Sequence, residues 1–241
     1  MARQHEALDV TISSRLRANM RTSQISFAEL EAWASDGCLP EMKPSRQRRS
    51  ASTAAALIDA GRRLLHDRSL EDLSIEAICA DAKTTVGAFY GRFENKEHFF
   101  LTLQRVQTMR TEQSIREFVA RHPPNASSVD ALCRDIVDEA IGNFRSNLGV
   151  MRASLQHSKE GMWEVIKKSG DRYRVVLVEL ISPYLTSLPP AQRRLRILFA
   201  YQALAGVLVH AVLNNPGPLA LGDDEIRDEL IRLVKAYLLA R

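Results

Sequence analysis

From Ile197 to Leu213 the chain carries no charged residue, and no other feature restricts its fold as strongly. A helix over 190–213 becomes apolar all round from Ile197 onward, so it has to be covered on every side. At the short limit of about 17 residues it could cross a bilayer. Tyr201, Gln202 and His210 interrupt the run, and a buried helix in a soluble protein is the better fit. One domain rarely covers a terminal helix completely. The next stretch, 223–240, places Ile226, Leu230, Leu233, Val234, Tyr237 and Leu238 at helical spacing. Asp223, Asp224 and Glu225 open it and Lys235 and Arg241 lie near its end, both favourable for the helix dipole. Ala203, Ala205, Gly206 and Ala211 permit close helix approach. A four-helix bundle formed by this pair and its copy in a second subunit satisfies these constraints. Leu204, Leu208, Ala211, Ile226, Leu230, Leu233 and Tyr237 are the expected interface.

Elsewhere the pattern is also helical. No Asn-Gly pair occurs, the one Asp-Gly pair, Asp36-Gly37, joins no two strand-like runs, and alternating runs are few. The 241 residues allow one large domain or two small ones. A net charge of +4 permits a nucleic-acid partner without requiring one. Cys38, Cys79 and Cys133 are far apart, with no paired Cys or His ligand set. Neither a disulfide framework nor a metal site is expected. The absence of an apolar leader at the N-terminus points to the cytoplasm. Residues 1–45 read as a largely flexible extension. Within it Ser26 and Glu29 form a capping box for a short helix near 27–35, and Gly37, Pro40 and Pro44 follow. Met20 and Met42 are alternative starts. Residues 46–106 form the next domain and 107–241 a helical remainder. Ser182-Pro183 is expected to bend or break a helix spanning roughly 160–187.

The segment from Ser74 to Phe93 is the most informative. Ser74 suits an N-cap, with Glu76 in the first turn. Ile75, Ile78 and Cys79 share one face. The pattern breaks at Lys83-Thr84, and Thr85 caps a second helix whose inner side is Phe89 and Phe93. Two short helices joined by a tight turn match a helix-turn-helix, spanning 74–93. Its second helix offers Thr84, Thr85, Val86, Gly87, Tyr90 and Arg92 to solvent. Gly87 lets a DNA backbone approach closely, and Thr and Val methyls can meet thymine. Tyr90, Arg92 and Lys96 are placed for phosphate, as is a basic approach of Lys43, Arg46, Arg48 and Arg49. Ser74, Thr84, Thr85, Val86, Gly87, Tyr90, Arg92, Lys96, Arg48 and Arg49 are therefore the candidate DNA contacts. Three amphipathic helices without a DNA role would explain Phe89 and Phe93, but not the exposed Thr-Thr-Val-Gly string.

Leu57 to Ala60, Leu64-Leu65, Ser74-Ile75, Ala77-Ile78, Gly87 to Tyr90, Phe93 and Asn95 to Glu97 together resemble the N-terminal pattern of the TetR (tetracycline-repressor-like) regulators. The resemblance covers about residues 51–100. It implies an all-α protein: a three-helix helix-turn-helix domain followed by a helical ligand-binding and dimerisation domain. It further implies homodimers on palindromic double-stranded operators, repression, and release by a small effector, in a bacterial cytosol. The sequence departs from the pattern at three places. Lys83 stands where the turn usually has glycine, Ser69 replaces a loop glycine, and Arg92 replaces an aromatic or histidine. A lysine in the turn implies strain or a rearranged turn.

The middle helices are expected to enclose an apolar pocket from Met109, Cys133, Phe144, Met151, Met162, Trp163, Tyr173 and Tyr201, with His157 and Gln202 as polar handles. The effector is unknown from sequence; a flat or elongated apolar molecule suits these walls. No enzyme signature such as GxSxG, GxGxxG, a P-loop or HExxH occurs. Asp135, Asp138 and Glu139 suit a solvated helix face better than a metal. No cofactor and no membrane partner are expected. The alternatives are a ligand-independent helical DNA-binding or dimerising adaptor and, further off, a small-molecule enzyme.

Overall fold

The computed structural model describes residues 25–44, 48–123, 128–157, 162–214 and 218–240, with side chains at 48–51 and 162–166 outside the description. Ten α-helices and one 3₁₀ turn occur among the described residues, and no strand. They group into two compact units, divided between Val106 and Gln107.

The first unit starts with α1 (Phe27–Ser35), where the Ser26–Glu29 capping box is formed in both directions. Helix α2 (Arg48–Asp67) carries Leu57, Ile58, Ala60 and Leu65, all fully buried. Helices α3 (Ile75–Asp81) and α4 (Val86–Tyr90) pack on it. The start of α5 (Lys96–Arg121) completes the core with Phe99, Phe100 and Leu103, again fully buried. Phe89, Phe93 and Phe99 form a ring trio with centroids 5.0–5.4 Å apart. Gly61 makes room for it: a Cβ there would lie 2.5 Å from Phe99 Cζ.

The α3–α4 turn contains the one positive φ found at a non-glycine residue among those described, Lys83 at +53°. Thr84 N donates to Cys79 O at 2.9 Å and Lys83 N to Ala80 O at 3.2 Å. That pair of bonds is a Schellman stop, normally built on glycine. Holding a lysine there costs about 1–2 kcal/mol, while glycine would lose about 0.5–1 kcal/mol of unfolded-state freedom. Lys83→Gly is therefore expected to stabilise the protein by about 0.5–1 kcal/mol, read as a raised urea midpoint at unchanged slope. A lowered midpoint would show that the lysine stem contributes packing that outweighs the strain.

The second unit contains the end of α5, α6 (Val129–Ser146), α7 (Leu148–Gln156), α8 (Met162–Ile181), α9 (Pro190–Leu213) and α10 (Asp224–Leu239). Pro183 ends α8 as expected, and Ser182–Tyr184 continues as the 3₁₀ turn. Helix α10 packs mainly on α6 and α9. Arg227 grips Asp138 with two bonds of 2.5 and 2.8 Å, and Lys235 reaches Asp130 at 2.5 Å. Leu132, Ile136, Val137, Leu204, Leu208, Ile226, Leu230 and Val234 belong to one apolar core.

The N-terminal extension differs from a free tail. Leu30, Leu39 and Met42 are buried, and Ile25 N donates to both Asp59 oxygens at 3.3 Å. Residues 1–24, the greater part of the segment read as flexible, lie outside the described residues.

Candidate nucleic-acid interface and cavity

Capping fixes the two short helices. Ser74 Oγ accepts from Ala77 N and Thr85 Oγ1 from Ala88 N, each at 3.1 Å. Both hydroxyl protons remain available to an external acceptor. Phe89 is fully buried, anchoring α4 from below. Opposite it, Thr85, Val86, Gly87 and Tyr90 are exposed side by side, with Ser74 exposed at the start of α3 and Thr84 half-buried in the turn. The nearest atom to a Cβ built on Gly87 is Thr85 Oγ1, at 3.9 Å. The surface is open there, and its shape suits a groove or a phosphate backbone.

Two expected phosphate contacts are corrected. Arg92 is 2 % exposed, not on the solvent face. It follows α4 where Arg92 N donates to Phe89 O, and its guanidinium nitrogens are buried without a hydrogen-bond partner. Burial lowers its pKa, and nearby Glu31 opposes that shift. Lys96 is also committed elsewhere. Its ammonium donates to the carbonyls of Leu70 at 3.0 Å and Glu71 at 3.3 Å, tying α5 to the α2–α3 loop. The start of α5 is capped instead by Asn95 Oδ1, which accepts from His98 N at 2.7 Å. Arg48 and Arg49 belong to the first turn of α2, their side chains outside the description; Arg46 lies outside the described residues.

The second unit holds a cavity of about 660 Å³. Phe144, Met151, Tyr173, Tyr201 and Gln202 line it, as the sequence led one to expect. Cys133 does not: it is fully buried in the α6 core, where burial raises its thiol to about 11. Met109 and His157 do not line it either, because the inward face of α5 is set by Gln107, Thr108, Thr111 and Ser114, and His157 ends α7 beyond it. Met162 and Trp163 have side chains outside the description. The polar residues of α5, with Glu139 and Asn143 of α6, were missed. They carry no apolar signal, and only a helical wheel of α5 with its cavity side known would have found them.

Tyr173 gives the cavity its chemistry. Its hydroxyl is buried without a hydrogen-bond partner, beside the Tyr201 ring at 5.5 Å. Burial, Tyr201 and Glu139 all raise its pKa, so the phenol stays protonated. It can donate one bond and accept another. The remaining walls include Ile115, Leu155, Leu198 and Val209. Glu139, Lys167 and Arg174 also line it, so the site suits a largely apolar molecule that carries a polar group.

The acidic residues of α6 are separately engaged. Asp135 meets His122 at 2.9 Å, Asp138 meets Arg227, and Glu139 meets Arg121 at 3.4 Å and Ser114. Among the described residues no group of side chains is arranged to hold a metal.

The apolar face of α9 and α10 is also corrected. Leu204, Leu208, Ala211, Ile226 and Leu230 are all at most 3 % exposed and face the core of the chain itself. The residues left outside are Leu195, Phe199, Val207 and Leu213 on α9 and Leu233, Tyr237 and Leu239 on α10, each 37–68 % exposed. The Phe199 and Tyr237 rings meet across the two helices, tilted, with centroids 5.1 Å apart. Helix α9 is long and apolar enough to cross a membrane by length and composition. Yet Leu204, Leu208 and Val212 already bury one face of it in protein.

Comparison with known proteins follows this division. Residues 57–103 match the family model of bacterial regulatory proteins, tetR family, and residues 128–238 match the tetracyclin repressor-like C-terminal domain. No curated protein matches the sequence. A solved structure assigned to the TetR family of transcriptional regulators, from Mesorhizobium loti, superposes with a TM-score of 0.64 at 14 % identity, covering 79 % of this chain and 96 % of the other. The fatty acid degradation regulator FadR from Bacillus halodurans gives 0.57 at 17 % identity, covering 80 % and 96 %. A TetR-like transcriptional regulator from Rhodococcus sp. RHA1 gives 0.53 at 19 % identity, covering 83 % and 100 %.

Proposed function

The chain belongs to the TetR family of DNA-binding transcriptional regulators, and from that premise we propose that it is a cytosolic dimeric repressor, released from a palindromic operator by a small, largely apolar effector. The surface of α4 carries the DNA-reading part. Thr85, Val86 and Tyr90 surround a glycine with open space above it, on a helix fixed by Phe89 beneath. Sequence would be read by the hydroxyl and methyl groups, and Tyr90 would hold a phosphate. The exposed stripe on α9 and α10 is the face a second copy would cover.

Release would run through α5. Its first turns supply Phe99 and Phe100 to the reading unit, and Gln107, Thr108, Thr111 and Ser114 line the cavity. A two-fold operator requires reading heads about 34–36 Å apart. An effector that favours a different position of α5 would change that spacing. By linkage, DNA would weaken effector binding by the same factor.

Selection of genomic fragments bound by the purified protein should enrich one palindromic sequence, with salt-dependent affinity. A thermal-shift screen of apolar compounds would then supply an effector. Tyr173→Phe is expected to weaken that effector by about threefold to tenfold, the worth of one buried hydrogen bond. No enriched fragment would sink the operator reading. A saturating cavity ligand that leaves operator affinity unchanged would make the protein a ligand-independent DNA binder.

A further inference from the structure

The segment Ile25–Lys43 lies outside the matched family domain, which begins at residue 57, yet it is attached to α2, to α5 and to the end of α4. Ile25 N is held by Asp59 of α2. Glu41 accepts three bonds from Nε and Nη2 of Arg105 of α5, at 2.7–3.0 Å. Met42 forms an antiparallel bridge with Phe93. Lys43 is bound at the end of α4 through two groups: its backbone N donates to Arg92 O at 2.7 Å, and its ammonium to Tyr90 O at 3.0 Å.

Helix α4 has only five residues. A helix so short cannot hold its direction by its own hydrogen bonds. Phe89 anchors one side of it, and the Thr85 cap fixes its start. Its far end exposes carbonyls where the helix dipole is negative, and a lysine donor is the favourable partner there. Tyr90, whose carbonyl receives that donor, also presents its side chain on the reading surface. Lys43 thus tethers the end of α4 opposite its Thr85 cap.

We propose that Lys43 is a positioning residue: it fixes the end of the recognition helix, and the Ile25–Lys43 segment thereby sharpens discrimination between operator and other DNA. This rests on α4 being the helix that enters the groove. A direct phosphate contact by Lys43 is the competing role, and the two differ in what they do to salt dependence. A lost phosphate contact weakens binding to all sequences and lowers the salt slope by about one. Lost positioning weakens only the sequence that needs the geometry.

The test uses the full chain, the operator recovered by genomic selection and a scrambled duplex of equal length, titrated at several salt concentrations. Lys43→Met keeps the stem and removes the donor. It should lower operator affinity about tenfold, leave the scrambled duplex within about twofold, and leave the operator salt slope unchanged. Lys43→Arg should recover most of the loss. Equal losses on both duplexes with a smaller slope, or no loss, would overturn the proposal. Should Lys43→Met fail to fold, Glu41→Gln loosens the segment at Arg105 without touching α4, and carries the same expectation at smaller size. Equal effects of Glu41→Gln on the two duplexes would then overturn it. If the unmodified protein binds both duplexes equally, the DNA-reading role of α4 falls, and this inference with it.

Discussion

Gly87→Arg is expected to reduce operator affinity to the level of non-specific DNA, a loss of about a thousandfold or more, in a protein that still folds. A side chain at residue 87 meets almost nothing in the free protein, the nearest atom being Thr85 Oγ1 at 3.9 Å. Position 87 is the second residue of α4, where arginine is a good helix former. Stability should therefore change by less than about 0.5 kcal/mol, as for most surface substitutions. The same side chain would occupy the space required by the groove. It also adds a positive charge, which would strengthen weak binding to any duplex. Charge and shape thus predict opposite changes. If shape dominates, gel shifts on the selected operator vanish while scrambled DNA binds equally or better. If operator affinity is retained or raised, with circular dichroism unchanged, α4 does not enter the groove.

The reading unit was legible in the sequence because each of its signals is local. Ser74 and Thr85 cap the helices beginning one residue later, and each cap bond spans three residues. Lys83 stands out at the turn because only its αL geometry permits the stop after α3. Arg92 and Lys96 were misread for the opposite reason. The sequence pattern puts each on the solvent side of a helix, whereas Arg92 follows α4 and Lys96 opens α5, and what covers or engages them lies elsewhere. Lys43 N binds the Arg92 carbonyl from a distance of 49 positions, and the loop carbonyl of Leu70 takes the Lys96 ammonium from 26. Helix α9 shows the same limit. Composition requires every side to be covered, but which side meets its own subunit depends on where α6, α8 and α10 pack. Leu204 and Phe199 are alike in sequence terms, yet one is 2 % exposed and the other 50 %.

That difference decides how the subunit interface should be tested. Phe199→Glu is expected to convert the protein from about twice the chain mass of 27.1 kDa to a single chain, as read by sedimentation at micromolar concentration. The Phe199 ring leans on Tyr237 at 5.1 Å, with Leu195, Val207 and Leu233 exposed on the same two helices. A carboxylate in the middle of that stripe would have to be desolvated twice in a two-fold interface, at several kcal/mol per charge. In the isolated subunit it stays in water and costs little. Leu204→Glu would be a poor substitute, since it buries a charge in the core and unfolds the chain. Operator binding should fall with the dimer. Two linked reading heads bind more tightly than one by about 10²–10⁴, so the monomeric variant should lose at least about a hundredfold in affinity. It should keep a folded second unit that still binds any cavity ligand. A single-chain mass for the unmodified protein, or a two-chain mass for Phe199→Glu, would show that this stripe is not where the subunits meet.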